Sequence, residues 1–340
     1  MLEQCAAVGT QSIDCLDWLA RLELSEGRCE SGAVVAKQEI ASDPNFSLGY
    51  AYLARAEFGR SHSTKVARVL EAERLAHMPA EAREVVRLRD EFFFNVYDGR
   101  FEDALAVADA WERAVGGIAD ASQRTYPFVC RIDLELEMGD RAKGALEARR
   151  FQEASESWLR NAFVDPPTEV TRALYLTGAI SLEALHERRR RDGAIIRARG
   201  GYFEPAGVQW FETYAQVSLD GTDAREAIDR LPHERPTIEA IYRDVGVDEE
   251  IGRNYLLAGQ SAESLAWLKR ATRSCNYMKS IHLVRAHRLL GDALAESDPM
   301  AACKEYREVI ERWGHAPRSI TARAARAAMQ RLRCSNSQPF

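Results

Sequence analysis

The side chains of this sequence that are best suited to chemistry are arginines, and the densest run of them is Arg188–Arg191, followed by Arg197 and Arg199. Guanidinium groups bind phosphates and carboxylates through paired hydrogen bonds, so this run could bind a phosphate or an acidic partner. Four arginines at the end of a helix would also complement the negative end of its dipole while remaining in solvent. The sequence favours this second, structural role.

A second basic segment lies at the C-terminus. No acidic residue follows Glu311, whereas six arginines do: Arg312, Arg318, Arg323, Arg326, Arg331 and Arg333. The whole chain nevertheless has a net charge of −6, and no interleaved aromatic residues or known nucleic-acid-binding module accompany these arginines. Phe92–Phe94 could stack on bases, but the neighbouring Leu88 and Tyr97 favour a role in a helix-pair core. We therefore expect no nucleic-acid partner.

The motifs of common enzymes and metal sites are missing. The sequence contains no Gly-x-Gly, no P-loop, no His-Arg-Asp or Asp-Phe-Gly, no Gly-x-Ser-x-Gly and no His-Glu-x-x-His. His282 and His287 are five positions apart, which places them on different faces of a helix and makes them poor partners for a metal. We expect no enzymatic activity, no cofactor and no metal ion.

The seven cysteines are dispersed and never lie closer than ten positions apart. Without a Cys-x-x-Cys pair, such an odd set favours reduced, half-buried thiols. One or two disulfides are the alternative if the chain functions outside the cytoplasm as part of a longer protein.

Recurring glycines divide the sequence into units of about 34 to 40 residues. The clearest unit is Ile251–Gly259, in which a large apolar residue, a glycine, an aromatic residue and a turn glycine lie at offsets 0, 1, 4 and 8. Leu268 and Ala271 follow on a second helix. These are the packing positions of a tetratricopeptide unit: the first glycine lets the second helix approach, and the turn glycine ends the first helix. The turns recur at Gly27, Gly99, Gly139 and Gly259.

This pattern predicts an all-α fold, in which tetratricopeptide-like helical hairpins form a right-handed superhelix, an α-α solenoid. Residues 1–334 form one array: regular repeats over 1–160, irregular helix pairs over 165–248, regular repeats over 249–316 and a capping helix over 317–334, with a flexible tail at 335–340. Helical stretches such as Thr168–Glu187 and Phe203–Leu219 interrupt the irregular part. In the capping helix, Ile320, Ala324, Ala328 and Leu332 are expected to form the apolar face. No apolar run is long enough to span a membrane.

Several segments resemble one protein family. Ile251–Cys275 (IGRNYLLAGQSAESLAWLKRATRSC), Ala302–Gly314 and Pro317–Cys334 resemble the tetratricopeptide-like region that follows the catalytic domain in bacterial Hanks-type serine/threonine kinases, especially those of myxobacteria. Asp14–Pro44 and Leu134–Ala142 are similar to it as well. The resemblance implies a signalling-associated protein-interaction module. The kinase domain is not in this chain, so no kinase residue is transferred, and the chain is either an excised C-terminal part or a free-standing relative.

We therefore interpret the chain as a non-catalytic scaffold that binds a protein or peptide on its concave face. The alternative is a ligand-sensing domain whose small-molecule pocket lies in the irregular middle, bounded by Trp210, Phe211 and Tyr214. The expected compartment is the cytoplasm, or an extracytoplasmic space if the chain belongs to a longer membrane-anchored kinase.

The concave face has five candidate binding residues. In a tetratricopeptide unit, the residues three before and one after the glycine of the first helix point into this face. Counted from Gly252 and Gly291, this rule selects Glu249 and Arg253 in one repeat and Arg288 and Asp292 in the next. Arg285 lies one helical turn before Arg288, on the same side. Three converging arginines are suited to an acidic or C-terminal peptide segment. The structural alternative is that Arg253 and Arg288 pair with Glu249 and Asp292 across neighbouring helices.

Overall fold

The computed structural model of the protein describes residues 13–118, 121–155, 168–188, 218–229 and 245–334, together with Arg190 and Leu231. Regular structure in these ranges is helical, and no strand occurs in them. The helices are α1 (Ile13–Ser25), α2 (Cys29–Ser42), α3 (Ser47–Ser61), α4 (Thr64–Ala76), α5 (Ala80–Tyr97), α6 (Phe101–Val115), α7 (Ala121–Glu137), α8 (Arg141–Ser155), α9 (Thr168–Leu176), α10 (Gly221–Asp229), α11 (Val245–Leu257), α12 (Ser261–Ala271), α13 (Ser280–Leu294), α14 (Pro299–Trp313) and α15 (Ile320–Arg331). A 3₁₀ helix, Tyr277–Lys279, precedes α13.

Consecutive helices pack together as hairpins: α1 with α2, α3 with α4, α5 with α6, α7 with α8, α11 with α12, and α13 with α14. Turns of two to four residues join each pair, so the two helices of a pair run antiparallel. The predicted all-α array of helical hairpins is confirmed. No described helix is both long and apolar enough to cross a membrane.

The four predicted turn glycines all have the left-handed backbone conformation, with φ of 71° at Gly27, 69° at Gly99, 76° at Gly139 and 80° at Gly259. This conformation carries a steric cost for residues with a Cβ atom, which explains why glycine ends these helices. Gly178, with φ of 72°, makes the same kind of turn after α9. The expected single helix over Thr168–Glu187 is therefore divided into α9 and a second helical stretch over 182–188.

The C-terminal part of the array packs back against the N-terminal part. We call α1–α5 the N-terminal arm and α11–α15 with the 3₁₀ helix the C-terminal arm. Helix α13 lies against α5, and the ring of Tyr277 packs 4.6 Å from that of Phe94, centroid to centroid. The indole of Trp313 donates a hydrogen bond to the Val96 carbonyl at 2.8 Å. The two arms thus share one apolar core, and the inner side of the array is filled by its own helices along this contact.

The structure differs from the expectation of reduced thiols. Cys29 and Cys275 form a disulfide between the two arms, Cys303 and Cys334 form a second one, and Cys15 is also disulfide-bonded. Cys130 is a buried thiol. The sequence spacing could not indicate the first bond, because its cysteines lie 246 residues apart and the fold alone brings their Cα atoms to 5.6 Å.

The segment predicted as a capping helix contains α15, and its predicted apolar face is correct only in part: Ala328 is buried and Leu332 packs against the core. The buried residues are Thr321, Ala322, Ala325 and Ala328, whereas Ile320 and Ala324 are exposed. A strict four-residue spacing drifts by about 40° per step around a helix with 3.6 residues per turn, so a stable buried stripe alternates steps of three and four. Helix α15 packs against α13 and α14, and its role as a cap remains a prediction.

Several predictions concern residues outside the described ranges. These are the arginine run beyond Arg188 and Arg190, the helix beginning at Phe203, the pocket residues Trp210, Phe211 and Tyr214, and the tail 335–340. The division of the array into regular and irregular parts remains a prediction.

Candidate functional site

The five predicted binding residues occupy two separate environments. Glu249 and Arg253 on α11 and Arg285 on α13 belong to a cluster of charged side chains between α7, α11 and α13. Arg288 and Asp292 lie further along α13, beside α14. The two groups differ in how many internal partners hold each arginine.

Arg285 connects the two halves of the array. Its guanidinium donates to Asp133 at 2.7 Å and to Glu137 at 2.9 Å, both on α7. Burial opposes ionisation of Asp133, but the adjacent Arg285 outweighs burial and lowers the pKa of that carboxyl. Glu137, which is fully buried, also accepts hydrogen bonds from Thr321 and Ser319 at the start of α15. Arg285 is thus a central contact of the core.

Glu249 and Arg253 also have partners within the protein. Glu249 lies 3.0 Å from Nδ1 of His282, and Arg253 donates to Glu250 at 2.8 Å and to the carbonyl of Ser218. Burial disfavours the charged form of His282, but the hydrogen bond and the charge of Glu249 prevail and raise the histidine pKa. The alternative pairing of Arg253 with Glu249 across neighbouring helices is not found, because Arg253 pairs with Glu250 on its own helix.

Potential metal ligands come together in this cluster, although the sequence indicated none. Glu249, Glu250 and His282 each offer a ligand atom, and these atoms lie within 4.8 Å of one another. Glu249 is hydrogen-bonded to His282, and Glu250 is paired with Arg253. Since each group has an internal partner and arginines adjoin the acids, the arrangement satisfies its own charges, and we assign it no metal.

Arg288 and Asp292 form the more accessible group. They pair with each other at 2.7 Å across one helical turn, and their side chains are 29% and 27% exposed. The Tyr306 hydroxyl donates to the other oxygen of Asp292 at 2.8 Å. Burial, followed by the charge and hydrogen bond of Asp292, raises the pKa of Tyr306, and the nearby Arg288 and Arg331 oppose this shift. We call Arg288, Asp292, Tyr306 and Arg331 the C-terminal arginine surface.

Arg331 is one of the six arginines of the basic C-terminal segment, and its membership of this surface was not predicted from the sequence. It lies at the end of α15, is exposed, and has no carboxylate partner among the described residues. Other arginines of that segment are engaged: Arg318 pairs with Asp140 at 3.1 Å, and Arg312 donates to the Tyr97 hydroxyl at 2.8 Å. The fold thus leaves Arg331 without a carboxylate partner among the described residues, near enough to Tyr306 for its charge, like that of Arg288, to oppose the rise that burial causes in the pKa of the tyrosine.

Comparisons with known proteins give likenesses to solved structures alone. No protein-family model matches the sequence, and no curated protein matches it. Among solved structures, the chain is similar to a tetratricopeptide repeat protein from Parabacteroides merdae ATCC 43184, with 12% identity, coverage of 94% of this chain and 99% of that chain, and a TM-score of 0.34. The repeat assignment therefore depends on the helical hairpins and turn glycines described above.

Proposed function

We propose that this chain is a non-catalytic protein-interaction module that binds an acidic segment of a partner protein. The observation that supports this most directly is the C-terminal arginine surface, where Arg331 is exposed without a carboxylate partner in the described part of the chain, and where the charges of Arg331 and of the partly exposed Arg288 both act on Tyr306. A carboxylate of the partner can bind these guanidinium groups through charge-assisted hydrogen bonds.

Energetic cost distinguishes this surface from the remaining predicted residues. Removing a partner from a buried ion pair costs about 3–5 kcal/mol, which applies to Arg285 and, to a lesser degree, to Arg253. An exposed pair one helical turn apart contributes only about 0.3–0.5 kcal/mol, so Arg288 can exchange Asp292 for another carboxylate at little cost. We therefore place partner contact at Arg288 and Arg331, and a structural role at Arg285.

Binding of a labelled glutamate-rich peptide, followed by fluorescence anisotropy at low and moderate salt, tests this proposal. We expect Arg288→Ala and Arg331→Ala each to weaken binding several-fold and to reduce its salt dependence. Arg87→Ala is the matched control, because Arg87 is an exposed arginine on α5 that pairs with Glu84. Equal binding by the wild type and both surface variants would contradict the proposal.

The association with kinase signalling rests on the sequence resemblance. This resemblance predicts that affinity capture from the native host recovers a serine/threonine kinase or one of its substrates.

The disulfides bear on the compartment in which the protein functions. Disulfides persist in oxidising environments, so Cys29–Cys275 and Cys303–Cys334 support the extracytoplasmic alternative over the cytoplasm.

A further inference from the structure

A cavity of about 310 Å³ lies where the two arms meet, next to the disulfide between Cys29 and Cys275. It is distinct from the C-terminal arginine surface, and we call it the arm cavity. Its polar lining includes Arg21, Tyr52 and Arg55 from the N-terminal arm and Asp248, Arg270 and Asn276 from the C-terminal arm. Both arms contribute side chains, so the cavity exists only in the closed array.

Two of the three arginines in the arm cavity are neutralised by carboxylates. Arg21 pairs with Asp17 at 2.9 Å and donates to the Tyr52 hydroxyl, and Arg270 donates through two nitrogens to the two oxygens of Asp248. Because Asp17 and Asp248 neutralise these two guanidinium groups, neither of them offers a full positive charge to a ligand.

Arg55 is different, because no described carboxylate pairs with it. One of its terminal nitrogens donates to the thioether sulfur of Met278 at 3.7 Å, which is a weak acceptor, and its Nε is buried without a hydrogen-bond partner among the described residues. The Tyr52 ring, which also lines the cavity, lies beneath the guanidinium, with 5.8 Å from Cζ to the ring centroid. The arm cavity therefore contains about one uncompensated positive charge.

The other polar groups near Arg55 also offer hydrogen-bond donors. Asn276 uses its side-chain oxygen to accept from the backbone amide of Met278, which leaves its NH₂ group for a ligand. Ser274 accepts from the backbone amide of Asn276 at 3.0 Å, which leaves its hydroxyl hydrogen to donate. Leu24, Leu48 and Val245 supply the apolar part of the lining. This combination suits a ligand with an anionic head and a short apolar body.

We propose that the arm cavity is a binding site for a small carboxylic acid, whose carboxylate pairs with the Arg55 guanidinium and whose aliphatic part contacts the leucine and valine side chains. A single carboxylate matches the single uncompensated charge, whereas a phosphate dianion would leave a buried negative charge without a partner. The planar guanidinium also matches the two oxygens of a carboxylate. A free acid and the C-terminal residue of a peptide present the same chemistry.

Isothermal titration of the full chain with butyrate tests the proposal, with butyramide as the uncharged isostere and inorganic phosphate as the competing anion. We expect saturable binding of butyrate that is at least about tenfold tighter than binding of butyramide or phosphate. A short peptide with a free C-terminus, compared with its amidated form, distinguishes the two sources of carboxylate; binding of either butyrate or the free-acid peptide supports the site.

Variants then assign the binding to Arg55. Arg55→Gln should weaken butyrate binding about tenfold or more, because it removes the charge that faces the ligand. Arg60→Gln, on the same helix but paired with Glu57, is the control that should bind as the wild type does. If Arg55→Gln does not fold, Asn276→Asp replaces the test, since an added carboxylate should repel the ligand. Undetectable binding of both butyrate and the free-acid peptide, equal binding of butyramide, or unchanged binding by Arg55→Gln would overturn the proposal.

Discussion

Glu39 is a carboxylic acid that the fold buries completely, and neither of its oxygens has a hydrogen-bond partner among the described residues. Burial is the main cause that raises its pKa from an ordinary value of 4.5 to about 8, and the charge of Asp17 adds to the shift, while Arg21 opposes it. Glu39 is therefore a neutral acid at neutral pH, which removes most of the cost of burying it on the inner side of α2.

This pKa predicts how stability depends on pH. Between pH 4.5 and about 8 the folded protein retains the Glu39 proton, which the unfolded chain has lost. The free energy of unfolding therefore falls as the pH rises, by at most about 1.4 kcal/mol per pH unit from this group. Glu39→Gln should remove this dependence and be more stable than the wild type near the upper end of the window. Urea unfolding at several pH values between 4.5 and about 8 measures the free energy of unfolding of both proteins, with the exposed Glu30→Gln as a control. If this free energy changes with pH in the same way for wild type and Glu39→Gln, the raised pKa of Glu39 is contradicted.

The pairing of the arginines shows what residue spacing can predict. The contact between Arg288 and Asp292 joins residues four positions apart on one helix, a local pairing that spacing can indicate, although the alternative we considered placed it between neighbouring helices. The partners of Arg285 on α7 lie 148 and 152 positions earlier, and no local pattern connects them. The charge of Arg331 is visible in the sequence, but its position near Tyr306 depends on how α15 docks.

At the scale of the helices, the glycine pattern predicted both the turns and the close packing. A Cβ atom on Gly252 would lie 2.6 Å from Cγ of Leu268, and one on Gly291 would lie 2.5 Å from a ring carbon of Tyr306. These contacts explain why the first helices of these two hairpins, α11 and α13, carry a glycine where the second helix approaches. The buried face of α15 was not predicted, because its alanines are too similar in size and polarity to identify which of them face the core.

Gly291→Ala tests this packing. The added methyl group would collide with Tyr306, which is buried and whose hydroxyl is held by Asp292, so the ring cannot move away freely. We expect a loss of about 1–3 kcal/mol in the free energy of unfolding, even though alanine is the better helix former.

The control for Gly291→Ala is Gly117→Ala, because a Cβ atom on Gly117 would have no neighbour within 4 Å. Chemical denaturation of both variants should show a small effect, within about 1 kcal/mol, at Gly117. A stabilised Gly291→Ala protein would mean that α13 and α14 are not in the close contact described.

At the scale of the whole molecule, the main feature is that the array closes on itself. Periodicity predicts hairpins because each involves neighbours in sequence, but the contact of α5 with α13 joins residues almost 200 positions apart. An open concave face is what isolated repeats would predict. Instead, apolar residues of both arms, such as Phe94 and Tyr277, pack together, and the inner surface becomes core. Closure also creates the arm cavity, which no motif in the sequence indicated.

The Cys29–Cys275 disulfide should stabilise this closed form. It closes a loop of 246 residues, and the chain-entropy model gives about 5 kcal/mol for a loop of this length, with typical measured values of 2–4 kcal/mol. The Cys29→Ala/Cys275→Ala variant should therefore unfold at lower denaturant concentration than the wild type, and small-angle X-ray scattering should show a larger radius of gyration as the arms separate. Cys303→Ala/Cys334→Ala is the control, since that bond spans only 31 residues within the C-terminal arm and leaves the contact between the arms covalently closed. The control variant should reduce stability without expanding the molecule.

Two results would contradict this account. If removing Cys29 and Cys275 changes neither stability nor size, the apolar core alone closes the array. If mass spectrometry of the native protein finds these two cysteines reduced, the support for an oxidising compartment is lost as well.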